Sequence, residues 1–497
     1  MPGRAALLSV VFLASCGGGG VVGVTSTRAG DGGGSTGGGS TRSSGSGGTP
    51  ASAGGAPGAS GGSTIGGAGL GGSAGATGGT TAGGSGGAAT GGSSASGGSG
   101  TGGGTSGNAG SGEAAGTGGA APSCTKLVAQ PMTIVISGSP AYHQRRPQLV
   151  QRTDGILVSA VMGLDAVESP GPVPSSIAYS DLSPWGAWPP VPTAPVNVTT
   201  SGGEAFRATR AGSGLGLLFQ VPGGSPGSGL DFCNGANATG CAAPIVLDST
   251  YPVHPLALAQ GLGTFLAGWA WELPVNSIHY QLRLRDLVAP SAIGAVGCAN
   301  EPLVAAAAPS GAGFLIAYSS SRPYGDCAPD NLADGPPTRV QVARYEGKLA
   351  FGGEAILPSS VQTLALAPRS DGGAWAAWTT AANGTAASRI SPAGGLSTPF
   401  SPLAGPFAIA DLAGHLAVTR SFSKDGFVTV EAFLFDDAGQ ALASATIPDS
   451  DFTPDSSSFS ALASPTGDAL LVAWSEAPTI QSGGHMHIRL ARFDCAP

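Results

Sequence analysis

Gly313-Phe314-Leu315-Ile316-Ala317-Tyr318 is a turn glycine followed by five apolar residues without a break. A run this short, bounded by turn formers, reads as a buried β-strand rather than a helix. The same phrase recurs along the chain as Asp154-Gly155-Ile156-Leu157-Val158, Gly216-Leu217-Leu218-Phe219 and Gly263-Thr264-Phe265-Leu266-Ala267-Gly268-Trp269. It returns as Gly373-Ala374-Trp375-Ala376-Ala377-Trp378, Gly414-His415-Leu416-Ala417-Val418 and Asp468-Ala469-Leu470-Leu471-Val472-Ala473-Trp474, which makes seven copies. Aligned on Ala160, Gln220, Trp269, Tyr318, Trp378, Thr419 and Trp474, successive copies lie 41 to 60 residues apart. Several are followed by a second strand of alternating character. In the clearest of these, Ile278, Tyr280, Leu282 and Leu284 share one face and His279, Gln281 and Arg283 the other; similar strands run at Val340 to Tyr345, Val428 to Phe435 and Met486 to Phe493.

A repeat of this length is one blade of a β-propeller. A lone four-stranded blade cannot bury both faces, so blades stack around an axis and each covers the next. The expectation is an all-β fold, a single seven-bladed propeller over residues 124–497. Leu127 to Ser137, with Thr133-Ile134-Val135-Ile136, is a strand candidate left over before the first unit, and it is expected to complete the last blade beside Met486 to Phe493. A pair of β-sandwiches would also give short strands at regular turns, but one phrase recurring over the whole length favours the ring.

Six cysteines fall in this region: Cys124, Cys233, Cys241, Cys298, Cys327 and Cys495. An even set in an exported chain reads as disulfides, with fifteen possible connectivities. Sequence separation suggests Cys233 with Cys241, Cys298 with Cys327, and Cys124 with Cys495, the last locking the ring where it closes. No CxxC spacing occurs, which disfavours zinc or redox chemistry.

The N-terminal part has a different character. Met1 to Ser15 carries one basic residue, Arg4, then an apolar run from Ala5 to Ala14, too short to remain in a bilayer as a helix. Leu13-Ala14-Ser15-Cys16 resembles the lipobox of bacterial lipoproteins. The resemblance implies removal of residues 1–15 as a signal peptide, and lipid attachment at Cys16 through its sulfur and its new amino terminus. Two or three acyl chains hold a protein stably where one does not. Gly17, in place of the aspartate associated with inner-membrane retention, implies the outer membrane, on either its periplasmic or its exposed side. Residues 16–123 are nearly all Gly, Ser, Thr and Ala, with Arg28, Asp31, Arg42 and Glu113 as the charged exceptions. Such a segment buries too little to offset the entropy of ordering, and is expected to be a disordered tether with an end-to-end distance of roughly 55–60 Å. Its glycine strings have no strand before them or helix after them and make no nucleotide loop.

The propeller region resembles bacterial β-propeller proteins in general. WD dipeptides, the sialidase-type box and the calcium-binding aspartate loop are all missing, so the resemblance brings no activity with it. The net charge of −8 and the presence of lysine at Lys126, Lys348 and Lys424 alone argue against nucleic acid and against charge-driven membrane binding.

Among candidate sites, Trp185 and Trp188 stand in a turn-rich loop where a sugar or a proline-rich peptide would stack, or where the rings would simply cover the first unit. His485 and His487 lie two apart on a strand, as a metal pair would, without a third ligand in sequence. Gly223-Gly224-Ser225-Pro226-Gly227 matches a nucleophile motif but lacks the strand-to-helix elbow. Asp449, Asp451 and Asp455 lack the geometry of a calcium loop, and Asp165 with Glu168, or Asp436 with Asp437, read as loop charges. No catalytic residue, metal or cofactor is assigned. The expectation is an envelope-anchored monomer that displays a noncatalytic binding or scaffold module to protein or glycan partners. The alternative is a carbohydrate-active hydrolase or lyase whose acidic residues converge at the central channel.

Overall fold

Each of the seven recurring phrases leads into or forms the second strand of an antiparallel sheet. The computed structural model describes residues 124–497 apart from 137–140, 153, 168–175, 200–204, 222–228, 242–243, 250–252, 262, 276, 289–291, 328–334, 383, 403–406, 425–426, 448–453 and 477–484. All its regular elements there are strands. β1 (Lys126–Ala129) and β2 (Ile134–Ile136) come first in the chain but belong to the last sheet. Blade one is β3–β6 (Tyr142–Gln151, Val158–Ala166, Ser176–Leu182, Val196–Thr199) and blade two β7–β10 (Phe206–Ala211, Gly214–Val221, Gly229–Ala236, Ile245–Asp248). Blade three is β11–β14 (Val253–Gln260, Phe265–Val275, Ser277–Asp286, Ala292–Ala299) and blade four β15–β18 (Ala305–Ser310, Gly313–Ser320, Arg339–Tyr345, Leu349–Ile356). Blade five has three strands, β19–β21 (Val361–Pro368, Ala374–Thr380, Thr385–Ile390), and blade six is β22–β25 (Phe407–Leu412, His415–Lys424, Phe427–Phe435, Ala441–Thr446). Blade seven joins β26–β28 (Pro454–Ala463, Ala469–Glu476, His487–Ala496) to β1 and β2. The first strand of each blade touches the first strand of the next, from β3 through β26 and back to β3, so the sheets form a closed seven-bladed propeller.

The second strands are continuously apolar because both of their faces are covered. In β16, Phe314, Ile316 and Tyr318 join an apolar layer shared with blade three, while Leu315 and Ala317 join one shared with blade five. Every junction around the ring holds one such layer. At about 1.5–3 kcal/mol for each fully buried large aliphatic or aromatic side chain, these layers are the main force holding blade to blade. Polar side chains add ties between innermost strands. Gln148 donates to Phe206 O at 2.7 Å and accepts from Ala208 N at 2.8 Å, and Arg207 Nε donates to Leu256 O at 2.7 Å.

The leftover N-terminal strand closes the last blade as expected, but in two pieces. β1 sets Leu127 opposite Cys495 and β2 sets Ile136 opposite Ile488, both against β28. Pro131 stands between the pieces without an amide hydrogen to give the ladder, and the chain steps outward there, leaving Met132 55% exposed. The structure joins Cys124 to Cys495 with Cα atoms 5.2 Å apart, Cys233 to Cys241 at 5.8 Å and Cys298 to Cys327 at 5.7 Å. In blade five, Leu396 and Phe400 make single bridges to Ile390 and Ala387 where a fourth strand would run. The pairing slips by one residue between these two bridges.

Candidate functional site

The residues singled out in the sequence scatter over the ring. Trp185 and Trp188 follow β5 and pack, half-buried, on the apolar layer between blades seven and one. The Trp188 indole donates to Met132 O at 2.9 Å, and Arg492 Nη1 reaches Pro184 O and, at 2.9 Å, Gly186 O. This loop therefore covers the outward step between β1 and β2 at the closure of the ring. His485 and His487 have ring centroids 6.3 Å apart, and His143, on β3, lies 6.3 Å from His485. Among the described residues no group of three or more His, Cys, Asp or Glu is arranged to hold a metal ion. Asp165 pairs with Arg145 at 3.5 Å. Asp436 accepts the turn amides of Ala438 and Gln440, and Asp437 bridges Arg369 and Arg389 at 3.2 and 2.7 Å. Cys16, residues 17–123, Glu168, Gly223-Gly227, Asp449 and Asp451 lie outside the described residues, and Asp455 is the second residue of β26.

A different set of residues builds a pocket. Between the outermost strand of blade two and the outer part of blade three lies a cavity of about 480 Å³, within the size range of small-molecule sites. One wall is the end of β10. A register shift between Val246 and Asp248 re-aims the strand there, so that Val246 is 62% exposed while Asp248 is buried at 9%. The other wall is the face of blade three that looks toward blade two. Trp269 and Trp271 are two apart on β12, and Arg283 and Arg285 two apart on β13, so strand alternation places all four on that face. The β12–β13 ladder is unbroken from Leu266↔Asp286 to Val275↔Ser277 and sets Trp269 directly opposite Arg283. Uninterrupted pairing of this length gives the wall a fixed geometry.

Asp248 organises the pocket's polar chemistry. Its Oδ2 accepts the indole N–H of Trp269 at 3.1 Å and that of Trp271. Hydrogen bonds to an ionised acceptor contribute about 1.5–3 kcal/mol each, enough to hold both rings in one orientation. The Arg283 guanidinium lies over the Trp271 ring, 3.2 Å from its centroid, a cation–π contact between the two strands. Trp269 is itself 4% exposed and packs in the layer between blades two and three, as the wholly buried Tyr318 and Trp378 pack in theirs; the half-buried Trp271 is the ring more open to the pocket. In the sequence Trp269 stands out only as an alignment mark and Arg283 only as a member of the second face of an alternating strand. The available signal was the pair of two-residue spacings, Trp269-x-Trp271 and Arg283-x-Arg285. Asp248 carried none, because its role arises across a blade junction.

No family model matches the sequence, and no curated protein matches it. Solved structures of similar fold include a protein of unknown function from Dyadobacter fermentans, 10% identical, with 74% of this chain and 99% of that one aligned at a TM-score of 0.44. A subtype N11 neuraminidase-like protein of a flat-faced bat virus is 11% identical over 75% of this chain and 94% of that one, at a TM-score of 0.40. A lectin of Aleuria aurantia in complex with a fucosylated disaccharide is 11% identical over 64% and 99%, at 0.36. These are distant likenesses of fold, and the reading of the site rests on its own residues.

Proposed function

We propose that this protein is a glycan-binding module displayed at the cell envelope, with the pocket between blades two and three as its sugar site. The observation that carries the reading is the combination at that pocket of two indoles, one carboxylate and two guanidinium groups around a cavity of small-molecule size. A saccharide has apolar C–H faces that pack on aromatic rings and hydroxyl groups that bridge planar carboxylates and guanidinium forks. The innermost strands offer less to a polysaccharide-cleaving reaction, which calls for paired carboxylates. They carry two, Asp411 and Asp455. Asp411 stands next to the hairpin into β23, whereas Asp455 is at the far end of β26, opposite the end of β27. Asp411 is further occupied by the Trp375 indole at 3.0 Å, and burial raises its carboxyl above the usual carboxylate range.

The anchoring half of the proposal places lipid on Cys16 and treats residues 17–123 as the tether that holds the propeller clear of the membrane. Its support is the lipobox-like Leu13-Ala14-Ser15-Cys16 and the nearly uncharged Gly/Ser/Thr/Ala composition that follows. In a bacterial host the full chain is expected in the membrane fraction and its C16A variant in the soluble fraction. Identical partitioning of the two would contradict the anchor.

Binding of the full chain to an oligosaccharide panel tests the pocket. Trp271→Ala removes an indole, its bond to Asp248 and the Arg283 stack together, so affinity is expected to fall at least tenfold, about 1.4 kcal/mol or more. Equal binding by wild type and variant would overturn the site assignment.

A further inference from the structure

Half-buried arginines in this protein are, as a rule, matched by a carboxylate of the same blade. Arg339 pairs with Glu354 at 3.0 Å, Arg420 with Glu431 at 3.2 Å, Arg489 with Glu476 at 2.7 Å and Arg152 with Asp181 at 3.4 Å. Arg207 is the deep exception, and it gives its donors to the carbonyls of Leu256 and Phe206. Burial lowers its pKa to about 10.

Arg285 has neither kind of partner. The residues opposite it in the sheet are Ala267 on β12 and Ala292 on β14. Its Nε is buried without a hydrogen bond, and among the described residues it makes no ion pair. The carboxylates nearest in sequence and sheet are engaged or turned away. Asp248 is held by the two indoles. Asp286 faces blade four, where it takes the hydroxyls of Thr264 and, at 3.3 Å, Tyr345. Asp231 lies between Leu230 and Phe232, which face the pocket side, and so it points to the other face of its strand. The pocket lining thus holds Arg283 and Arg285 against Asp248 alone.

We infer that the saccharide taken up between blades two and three carries a carboxylate, and that Arg285 is the residue that receives it. The inference rests on the glycan reading of the pocket. A partly desolvated guanidinium without a counter-charge is costly, and an incoming carboxylate supplies what Glu354, Glu431 and Glu476 supply to the other arginines. The planar fork of Arg285 matches a carboxylate in two parallel hydrogen bonds, which also fixes the orientation of the sugar ring beside Trp271.

The test uses the full chain and oligosaccharides containing uronic or ulosonic acids, each as the free acid and as its methyl ester, with sulfated neutral oligosaccharides as a third arm. The free acid is expected to bind at least tenfold more tightly than the ester. Arg285→Gln is expected to erase that difference whatever its effect on the affinity for the ester, and an unchanged melting temperature shows the variant to be folded. Equal binding of acid and ester, a preference that survives R285Q, or binding of the sulfated arm alone would each overturn the carboxylate assignment. Equal binding of acid and ester that W271A abolishes leaves the pocket reading standing; binding of no member of the panel overturns both.

Discussion

His143 occupies a position that suits only its neutral form. Its Nδ1 accepts the backbone N–H of Met486 at 3.0 Å, tying the innermost strand of blade one to the approach of β28, and a protonated ring has no lone pair to offer there. Burial lowers its pKa below the usual 6.5; Arg145 reinforces this, Asp165 opposes it, and His485 and His487 add to the lowering. The folded state therefore binds this proton less readily than the unfolded chain. The stability His143 contributes is complete above about pH 6.5 and drains away as the pH falls from there toward the lowered folded value. The melting temperature is expected to decline between pH 7 and 5, and His143→Gln, whose side-chain oxygen can still accept from Met486, is expected to flatten that decline. Parallel declines in wild type and H143Q would refute the assignment. Asp371 acts in a separate window. Burial pushes its carboxyl up, but the Gly373 amide and the Arg389 and Arg369 guanidinium groups outweigh that and hold it below 3.8, so its contribution persists to much lower pH.

At the scale of the element, β2 shows how the ring closure is written into three residues. Ile134 and Ile136 face the layer between blades seven and one, and Val135, 38% exposed, faces out. Ile136→Ala is expected to cost about 2–4 kcal/mol of unfolding free energy and Val135→Ala within about 0.5 kcal/mol, as read by denaturant titration of the full chain. Equal costs would mean that β2 is not docked in this register. The second strands and the alternating third strands were legible because the two-sided burial of a blade leaves a continuous apolar run behind a turn glycine. At Gly313 the reason is also steric: a Cβ there would lie 2.1 Å from Tyr345 O. Outer strands were not legible. β18, Leu349–Ile356, is covered on one side at most, so residues such as Phe351 and Ile356 remain exposed and break the apolar pattern. The break of the closing strand beside Pro131 and, among the described residues, the two isolated bridges in place of a fourth strand in blade five are local departures that a repeat spacing does not register.

For the whole molecule, a ring of blades creates seven junctions, and the proposed site lies at the one between blades two and three. Apolar layers join the blades at every junction, and between blades two and three the packing also opens into a cavity organised by Asp248. Asp248 and Arg285 come from different blades, so the site was not visible to any reading of local motifs. The conspicuous tryptophans of the sequence, Trp185 and Trp188, lie instead at the seam where β1 and β2 join β28. The central claim, that this junction is the ligand site, is tested most directly by the crystal structure of the full chain with a bound acidic oligosaccharide. The account predicts ligand density between blades two and three, touching Trp271 and the Arg285 guanidinium. Density in the central channel or beside Trp185 and Trp188, with the blade two–three pocket empty, would contradict it.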